Sequence, residues 1–175
     1  MSRRAFLLLP LLAGCAGAAM PDPVRLPRDS VEGAGDPTRA AVSRTAFAFN
    51  QPGQLVGRPA EAARAIADME FLAAALPFDP HFQQRDPLLP GQLAQARAEW
   101  RAVLGIPDAQ PAQPVIDSLY AMARTGNAAL PIGIFGPNAG ATLAALPPLP
   151  QTARAAAGAA RVQSEGNIPT GRRRL

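Results

Sequence analysis

The chain has 175 residues, of which 48% are nominally hydrophobic, and its 17 basic and 13 acidic side chains give a formal net charge of +4. Every basic side chain is arginine, which excludes Schiff-base chemistry, a phosphate-loop lysine and a serine–lysine dyad. Cys15 is the only cysteine and His81 the only histidine, so internal disulfides, zinc sites with several cysteines and histidine-rich metal sites are also excluded. The length suits one domain with tails.

The first fifteen residues have the layout of an export signal. Arg3 and Arg4 precede an apolar run from Ala5 to Gly14, and Cys15 follows it. A transmembrane helix needs about 20 apolar residues, so this shorter run, which also contains a proline, does not predict one.

The end of that run, Leu12–Cys15, reads Leu-Ala-Gly-Cys and resembles the lipobox of bacterial lipoproteins. The resemblance implies that diacylglycerol is attached to the Cys15 sulfur and that a peptidase cuts between Gly14 and Cys15, removing residues 1–14. Several acyl chains on one residue would anchor the protein stably, since a single chain binds a bilayer only marginally. Ala16 follows the cysteine and, by the sorting rule of this family, favours the outer over the inner membrane. The implied product is a periplasm-facing lipoprotein whose only cofactor is its covalent lipid.

The start of the chain carries a second resemblance. Ser2–Leu7 is similar to the twin-arginine export motif, which directs the export of folded proteins. Arg3 and Arg4 serve equally well as the positive start of a general secretory signal. The two export routes therefore stay open.

Residues 15–36 are predicted to form a flexible tether that begins at the lipidated cysteine. Pro21, Pro23 and Pro27 interrupt this segment, and it shows no hydrophobic period. We therefore expect the folded domain to begin at about residue 37.

Residues 37–150 are predicted to form a small, irregular all-α bundle with proline-rich connections. Apolar residues recur there at three- and four-residue steps, and no helix could bury its stripe alone. Two short segments could instead form strands. They are Thr45–Phe49 and Leu130–Phe135, and the second could alternatively be a buried segment that crosses the core. The predicted helices are a segment that begins at Pro37, then 59–76, 87–104, 114–125 and 138–146.

The end of the chain is predicted to add little to the core. Residues 151–163 form an alanine-rich helix with little to bury, and residues 164–175 form a disordered tail. Arg172–Arg174 could face anionic head groups, or simply keep the tail solvated. If this triplet and the two arginines of the signal, Arg3 and Arg4, are set aside, 12 basic residues remain against 13 acidic ones. The rest of the chain is therefore nearly neutral, and no nucleic-acid partner is predicted.

The sequence offers few candidates for catalysis or metal binding. Asp79 could orient His81, but no serine lies in a nucleophile elbow, and the interpretation favoured here is a local structural role. A metal would have to recruit the scattered carboxylates Glu70, Asp86 and Glu99, so none is predicted.

Three further features suggest ligands only weakly. Gly133–Thr142 resembles the phosphate-binding loop of ABC-type ATPases, but it is one residue short and Ala141 replaces the lysine, so no nucleotide partner is predicted. Trp100 and Tyr120 lie in or beside apolar stripes. They are expected in the core, and a role in ligand stacking is the alternative.

The leading interpretation is a non-enzymatic, lipid-anchored envelope protein that acts as a structural or interaction module with an envelope protein partner. The first alternative is a binding module for an apolar or amphipathic small molecule, held between helices at positions where alanine leaves space. The least favoured alternative is a hydrolase that uses Asp79 and His81. The alanines of the second hypothesis are Ala62, Ala73, Ala96 and Ala123.

Overall fold

The computed structural model describes residues 23–31, 35–51, 53–126 and 129–166. These residues form an all-α bundle, which confirms the predicted fold class. None of them forms a strand, so the strand alternatives were wrong; Thr45–Phe49 completes the first helix. The helices are α1 (Pro37–Phe49), α2 (Pro59–Ala75), α3 (Pro80–Arg85), α4 (Leu89–Leu104), α5 (Ala112–Thr125), α6 (Ala139–Ala144) and α7 (Pro150–Gly166), with 3-10 turns at Arg28–Ser30 and Leu76–Phe78.

Several helix ends follow local signals in the sequence. α1 begins at Pro37, and the Asp36 side chain accepts a 2.9 Å hydrogen bond from the backbone N–H of Thr38. α4 ends at Gly105, whose φ of 64° lies in the left-handed region that favours glycine. These signals act within one turn of the helix. The predicted ends of α2, α4, α5 and α6 therefore differ from the observed ends by only a short shift along the chain.

α2 lies at the centre of the bundle and contacts α1, α4, α5 and α6. Of its 17 residues, 11 are buried, and they lie on nearly all sides of the helix rather than on one face. Many of these residues are alanines, so neighbouring helices can approach closely from several directions. Two carboxylates of α2, Asp68 and Glu70, are buried with them.

α7 is an integral part of the bundle rather than a loosely attached helix. Its small residues Ala155, Ala156 and Ala159 are buried where it contacts α1 and α4. A Cβ added at Gly158 would lie 3.3 Å from a methyl carbon of Leu89, so this crossing needs a small residue. The expectation that this segment buries little was wrong, because small side chains permit close helix contact instead of filling a wide gap. The helix also includes the first three residues of the predicted disordered tail.

Part of the predicted tether packs on the bundle. Val24 and Leu26 lie against the core. The backbone of Arg25 exchanges two hydrogen bonds with the Gln113 side chain of α5, of 2.7 and 3.1 Å. Residues 23–31 are therefore held in place, and a flexible tether does not describe them; the rest of the predicted tether falls mostly outside the described residues.

The segment Leu130–Phe135 is a turn. Ile132 is 81% exposed, whereas Phe135 is buried at the end of α4. None of the helices in the described part of the chain is long and apolar enough to cross a membrane.

Candidate functional site

The export and anchoring residues predicted from the sequence lie outside the described residues. These are Arg3, Arg4, Gly14 and Cys15, and the Arg172–Arg174 triplet also falls there. Their roles therefore stay predictions.

Asp79 and His81 do not form a side-chain pair. An Asp79 carboxylate oxygen accepts a 2.8 Å hydrogen bond from the backbone N–H of His81, which makes Asp79 the N-cap of α3. The His81 imidazole instead packs edge-on against Phe82, with ring centroids 5.4 Å apart, and lies beside Gly166 at the end of α7. Phe82 is buried and Phe78 is half exposed, so only Phe82 fills the end of the bundle.

The carboxylates considered as metal ligands are engaged elsewhere. Asp86 accepts a hydrogen bond from the backbone N–H of Leu88 at 3.0 Å. Glu99 accepts three hydrogen bonds from Gln151 and Thr152 and so caps the start of α7 from a neighbouring helix. Within the described ranges, no group of three potential ligands comes together.

Glu70 is the centre of a buried ion cluster between α2 and α4. Arg97 donates two hydrogen bonds to one carboxylate oxygen, at 3.0 and 2.7 Å, and the Trp100 indole N–H donates to the other at 2.9 Å. Arg101 contacts both oxygens and donates to the backbone carbonyls of Pro107 and Asp108. Glu70 and Trp100 are fully buried and Arg101 nearly so, so this cluster fixes α4 and the following loop on α2.

Asp68 is the centre of a second cluster, between α1, α2 and α5. Arg44 donates to its two carboxylate oxygens at 2.8 and 3.0 Å, and the Tyr120 hydroxyl also donates to it. Burial, and then the charge and hydrogen bond of Asp68, raise the pKa of Tyr120. Burial acts to lower the pKa of Arg44, but the hydrogen bond and charge of Asp68 outweigh it, so that pKa is raised.

Two arginines of this region share one backbone acceptor. Arg44 and Arg64 donate to the carbonyl oxygen of Ser30 at 2.9 and 3.0 Å, which ties the N-terminal segment to α1 and α2. The Arg64 guanidinium carbon lies 6.0 Å from the centre of the Tyr120 ring. Arg64 therefore belongs to the cluster without contacting the Asp68 carboxylate.

A groove runs beside the Asp68 cluster, between α1, α2 and the turn at residues 53–57. Its volume is about 340 Å³. The walls are mostly apolar and are formed by Phe47, Ala48, Leu55 and Ala65. Phe47 is 69% exposed, and next to the groove Val56 is also largely exposed, which leaves an unusual amount of apolar surface here.

A smaller apolar hollow adjoins the groove. It has a volume of about 180 Å³, shares Ala48 and Leu55 with the groove, and extends to Leu146, Pro147 and Pro148. The two hollows give this corner of the bundle a continuous apolar surface.

The groove does not lie where the sequence analysis placed it. Ala62 and Ala96 are fully buried in the core, and Ala73 and Ala123 are partly buried against it. Ala123 lines a separate pocket of about 170 Å³ beside Tyr120, whereas Ala62 and Ala96 allow close packing. The groove between α1 and α2 depends on a turn whose position only the tertiary structure fixes.

Trp100 and Tyr120 are buried, as expected for core residues, with their polar atoms bonded to Glu70 and Asp68. The sequence analysis missed both carboxylates as partners. A usable signal was present for one of them, since Arg97 and Arg101 are four apart and flank Trp100 on the inward side of α4.

The glycine-rich loop that resembles a phosphate-binding loop has a packing role. Gly136 donates a 3.0 Å hydrogen bond to the carbonyl of Leu104, and a Cβ added at Gly105 would lie 2.9 Å from the Gly136 Cα. The two glycines thus allow the loop backbone to contact the end of α4. Asn138 precedes α6, but its side chain makes no capping hydrogen bond.

Comparisons with protein-family models, with curated proteins and with solved structures found no match to this chain.

Proposed function

We propose that this chain is a lipid-anchored protein of the bacterial cell envelope and acts as a non-enzymatic structural or interaction module. The observation that carries the proposal is the Leu-Ala-Gly-Cys sequence of Leu12–Cys15 after a short, positively charged apolar start, in a chain with no other cysteine. The protein faces the periplasm, and Ala16 favours the outer membrane.

The position of the folded part supports a location close to the membrane. Residues 23–31 are held on the bundle, so at most residues 16–22 lie between them and the proposed anchor at Cys15. Seven extended residues span at most about 25 Å. The anchor would therefore keep the bundle near the head groups, closer than the full tether predicted from the sequence.

The engagement of the ionisable groups supports a non-enzymatic role. The buried carboxylates Asp68 and Glu70 accept hydrogen bonds from arginines and from an aromatic side chain. Asp79 binds the backbone rather than the imidazole of His81. These contacts hold helices together, so each of these groups has a structural partner.

Mass spectrometry of the protein isolated from bacterial membranes tests the anchor. We expect a mature chain that begins at Cys15 and carries diacylglycerol on its sulfur. A Cys15→Ser variant is the matched control and should keep residues 1–14 and lack the lipid. A wild-type chain with an intact start and a free thiol would contradict the proposal.

A crosslinking experiment tests the interaction role separately. Crosslinking in intact membranes should enrich the same envelope protein in repeated preparations, and less so for Phe47→Ala, which removes the most exposed side chain of the groove rim. Leu88→Ala is a control because Leu88 is similarly exposed, at 72%. Equal recovery with both variants, or no reproducible enrichment, would argue against this role.

A second candidate function is supported by the groove between α1 and α2. Its walls of Phe47, Ala48, Leu55 and Ala65 suit an apolar or amphipathic small molecule, as in the alternative predicted from the sequence. Decyl glucoside, a neutral amphipath, should bind below its micelle concentration. Ala48→Leu should block binding by filling the groove, whereas Ala157→Leu, on the exposed side of α7, should not. Unchanged binding to the Ala48→Leu protein would place the ligand elsewhere.

A further inference from the structure

The lining of the groove combines two kinds of side chain. Phe47, Ala48 and Leu55 provide apolar walls, where a hydrocarbon chain could be removed from water. Arg44 and Arg64 line the same groove beside the Asp68 cluster. A ligand that filled the groove would therefore meet both hydrocarbon and guanidinium groups.

The two guanidinium groups are not equally compensated. Asp68 binds Arg44 through both carboxylate oxygens, and the other acid at the groove, Glu61, is bound by Arg58 at 3.1 Å. Among the described residues, Arg64 forms no ion pair, and its buried Nε–H has no hydrogen-bond partner. Arg64 thus lines the groove as a guanidinium that has no ion pair among these residues, and it also lines a smaller pocket together with Asp29 and Tyr120.

Arginine binds carboxylates in a planar, charge-assisted geometry. A ligand carboxylate near Arg64 would give this guanidinium an ionic partner while the chain of the ligand lay on the apolar walls. The groove volume of about 340 Å³ is near the lower limit for small-molecule sites, which favours one chain over a two-chain lipid.

We propose that the groove binds a single-chain amphipathic carboxylate, with Arg64 as the head-group contact and the chain along Phe47, Ala48 and Leu55. The inference rests on the second function proposed above and adds the charge of the ligand to it. It does not depend on the lipid anchor.

Binding of decanoate to the purified protein, measured by calorimetry below the micelle concentration, tests the inference. Decyltrimethylammonium has the same chain with the opposite charge. We expect decanoate to bind about tenfold more tightly or better, which corresponds to about 1.4 kcal/mol. Equal Kd values for the two probes, or tighter binding of the cation, would overturn the proposed role of Arg64 if the Glu32→Gln protein gave the same result as the unaltered one.

Variants locate the contact. Arg64→Gln should weaken decanoate binding about tenfold and weaken decyl glucoside binding much less, because the glucoside carries no charge. Arg161→Gln makes the same charge change at an exposed position of α7 and should alter neither. Ala48→Leu should abolish the binding of both probes. Far-ultraviolet circular dichroism checks that each variant is folded; if Arg64→Gln is not, the comparison of decanoate with decyltrimethylammonium on the unaltered and Glu32→Gln proteins decides.

Glu32 requires its own variant, because it is the acidic residue two positions after Ser30 in the sequence and lies outside the described residues. The titrations are therefore repeated with Glu32→Gln, so that a carboxylate of the chain itself cannot pair with Arg64 in place of the ligand. Decanoate binding that depends on Arg64 in either background supports the inference. If decyl glucoside binds but decanoate has no advantage in both backgrounds, the carboxylate inference fails and the groove function remains; if nothing binds, both fail.

Discussion

The two buried carboxylates of α2 are held in different ways, although they are only two residues apart. Successive residues of an α-helix are rotated by about 100°, so Asp68 and Glu70 point in nearly opposite directions. Glu70 faces α4, where two arginines and Trp100 bind its oxygens directly. Asp68 faces α1 and α5, where Arg44 and Tyr120 bind it.

The two clusters differ in what their second arginine contacts. In the Glu70 cluster, both Arg97 and Arg101 reach the carboxylate, and Arg101 is almost completely buried. In the Asp68 cluster, Arg64 contacts a carbonyl oxygen and the Tyr120 ring instead, and it lines a groove. The comparison indicates that similar residues can complete a core in one place and leave a guanidinium without an ion pair, among the described residues, in another.

The largest effect is expected for Glu70→Gln, which removes the charge but preserves the shape of the side chain. Arg101 would stay buried without its counter-ion, and removal of one partner of a buried ion pair costs about 3–5 kcal/mol. Urea denaturation should show this decrease in the free energy of unfolding. If the free energy of unfolding fell less for Glu70→Gln than for Asp68→Asn, the Glu70 cluster would not be the more stabilising of the two.

Asp68→Asn should destabilise the protein less, by about 1–3 kcal/mol. Arg44 is 28% exposed and can regain water, and the Tyr120 hydroxyl can still donate to the amide oxygen. The same denaturation experiment compares the two amide variants directly. Equal losses would mean that the exposure of the arginine does not decide the cost.

Tyr120 should make stability sensitive to alkaline pH. Its folded-state pKa is raised above the unfolded value of about 10, so the folded protein holds the phenol proton more tightly. The stabilisation is complete below pH ~10 and declines as the pH rises toward the folded-state pKa, at up to about 1.4 kcal/mol per pH unit. Because the chain has one tyrosine, phenolate absorbance reports this group alone.

Tyr120→Phe is the matching variant for the alkaline measurement. It should cost about 1 kcal/mol at neutral pH by removing the hydrogen bond to Asp68. The decline in stability just above pH 10 should disappear with it. A decline that persisted unchanged in this variant would assign the effect to another group.

The smallest effect is expected for Glu61→Gln, on the exposed surface of the same helix. Glu61 and Arg58 form an ion pair between two largely exposed side chains, three residues apart. Such pairs contribute at most about 1 kcal/mol, and often nothing measurable. Denaturation should therefore give a free energy of unfolding close to that of the unaltered protein, and a loss comparable to Asp68→Asn would contradict the distinction between buried and exposed charges.

The local features of this protein could be predicted because they depend on neighbouring residues. Asp36, Gly105 and the prolines act within a turn of the helix end, and apolar spacing identified α2, α4 and α5. The wrong predictions concern distant contacts. α7 was assigned little to bury because its alanines are small, and the segment at residues 23–31 was assigned to a tether because it has no periodicity.

The sequence by itself determined the all-α class, the approximate helices and the proposed anchor signal, since each is encoded in short stretches of chain. Only the tertiary structure decided that Asp68 and Glu70 are buried, because their arginines come from α1 and α4, 24 to 31 residues away. It also decided the groove, which forms where the turn at residues 53–57 meets α1 and α2. A pairing or a hollow made by separate helices depends on how they pack, and hydrophobic periodicity reports only which face of each helix turns inward.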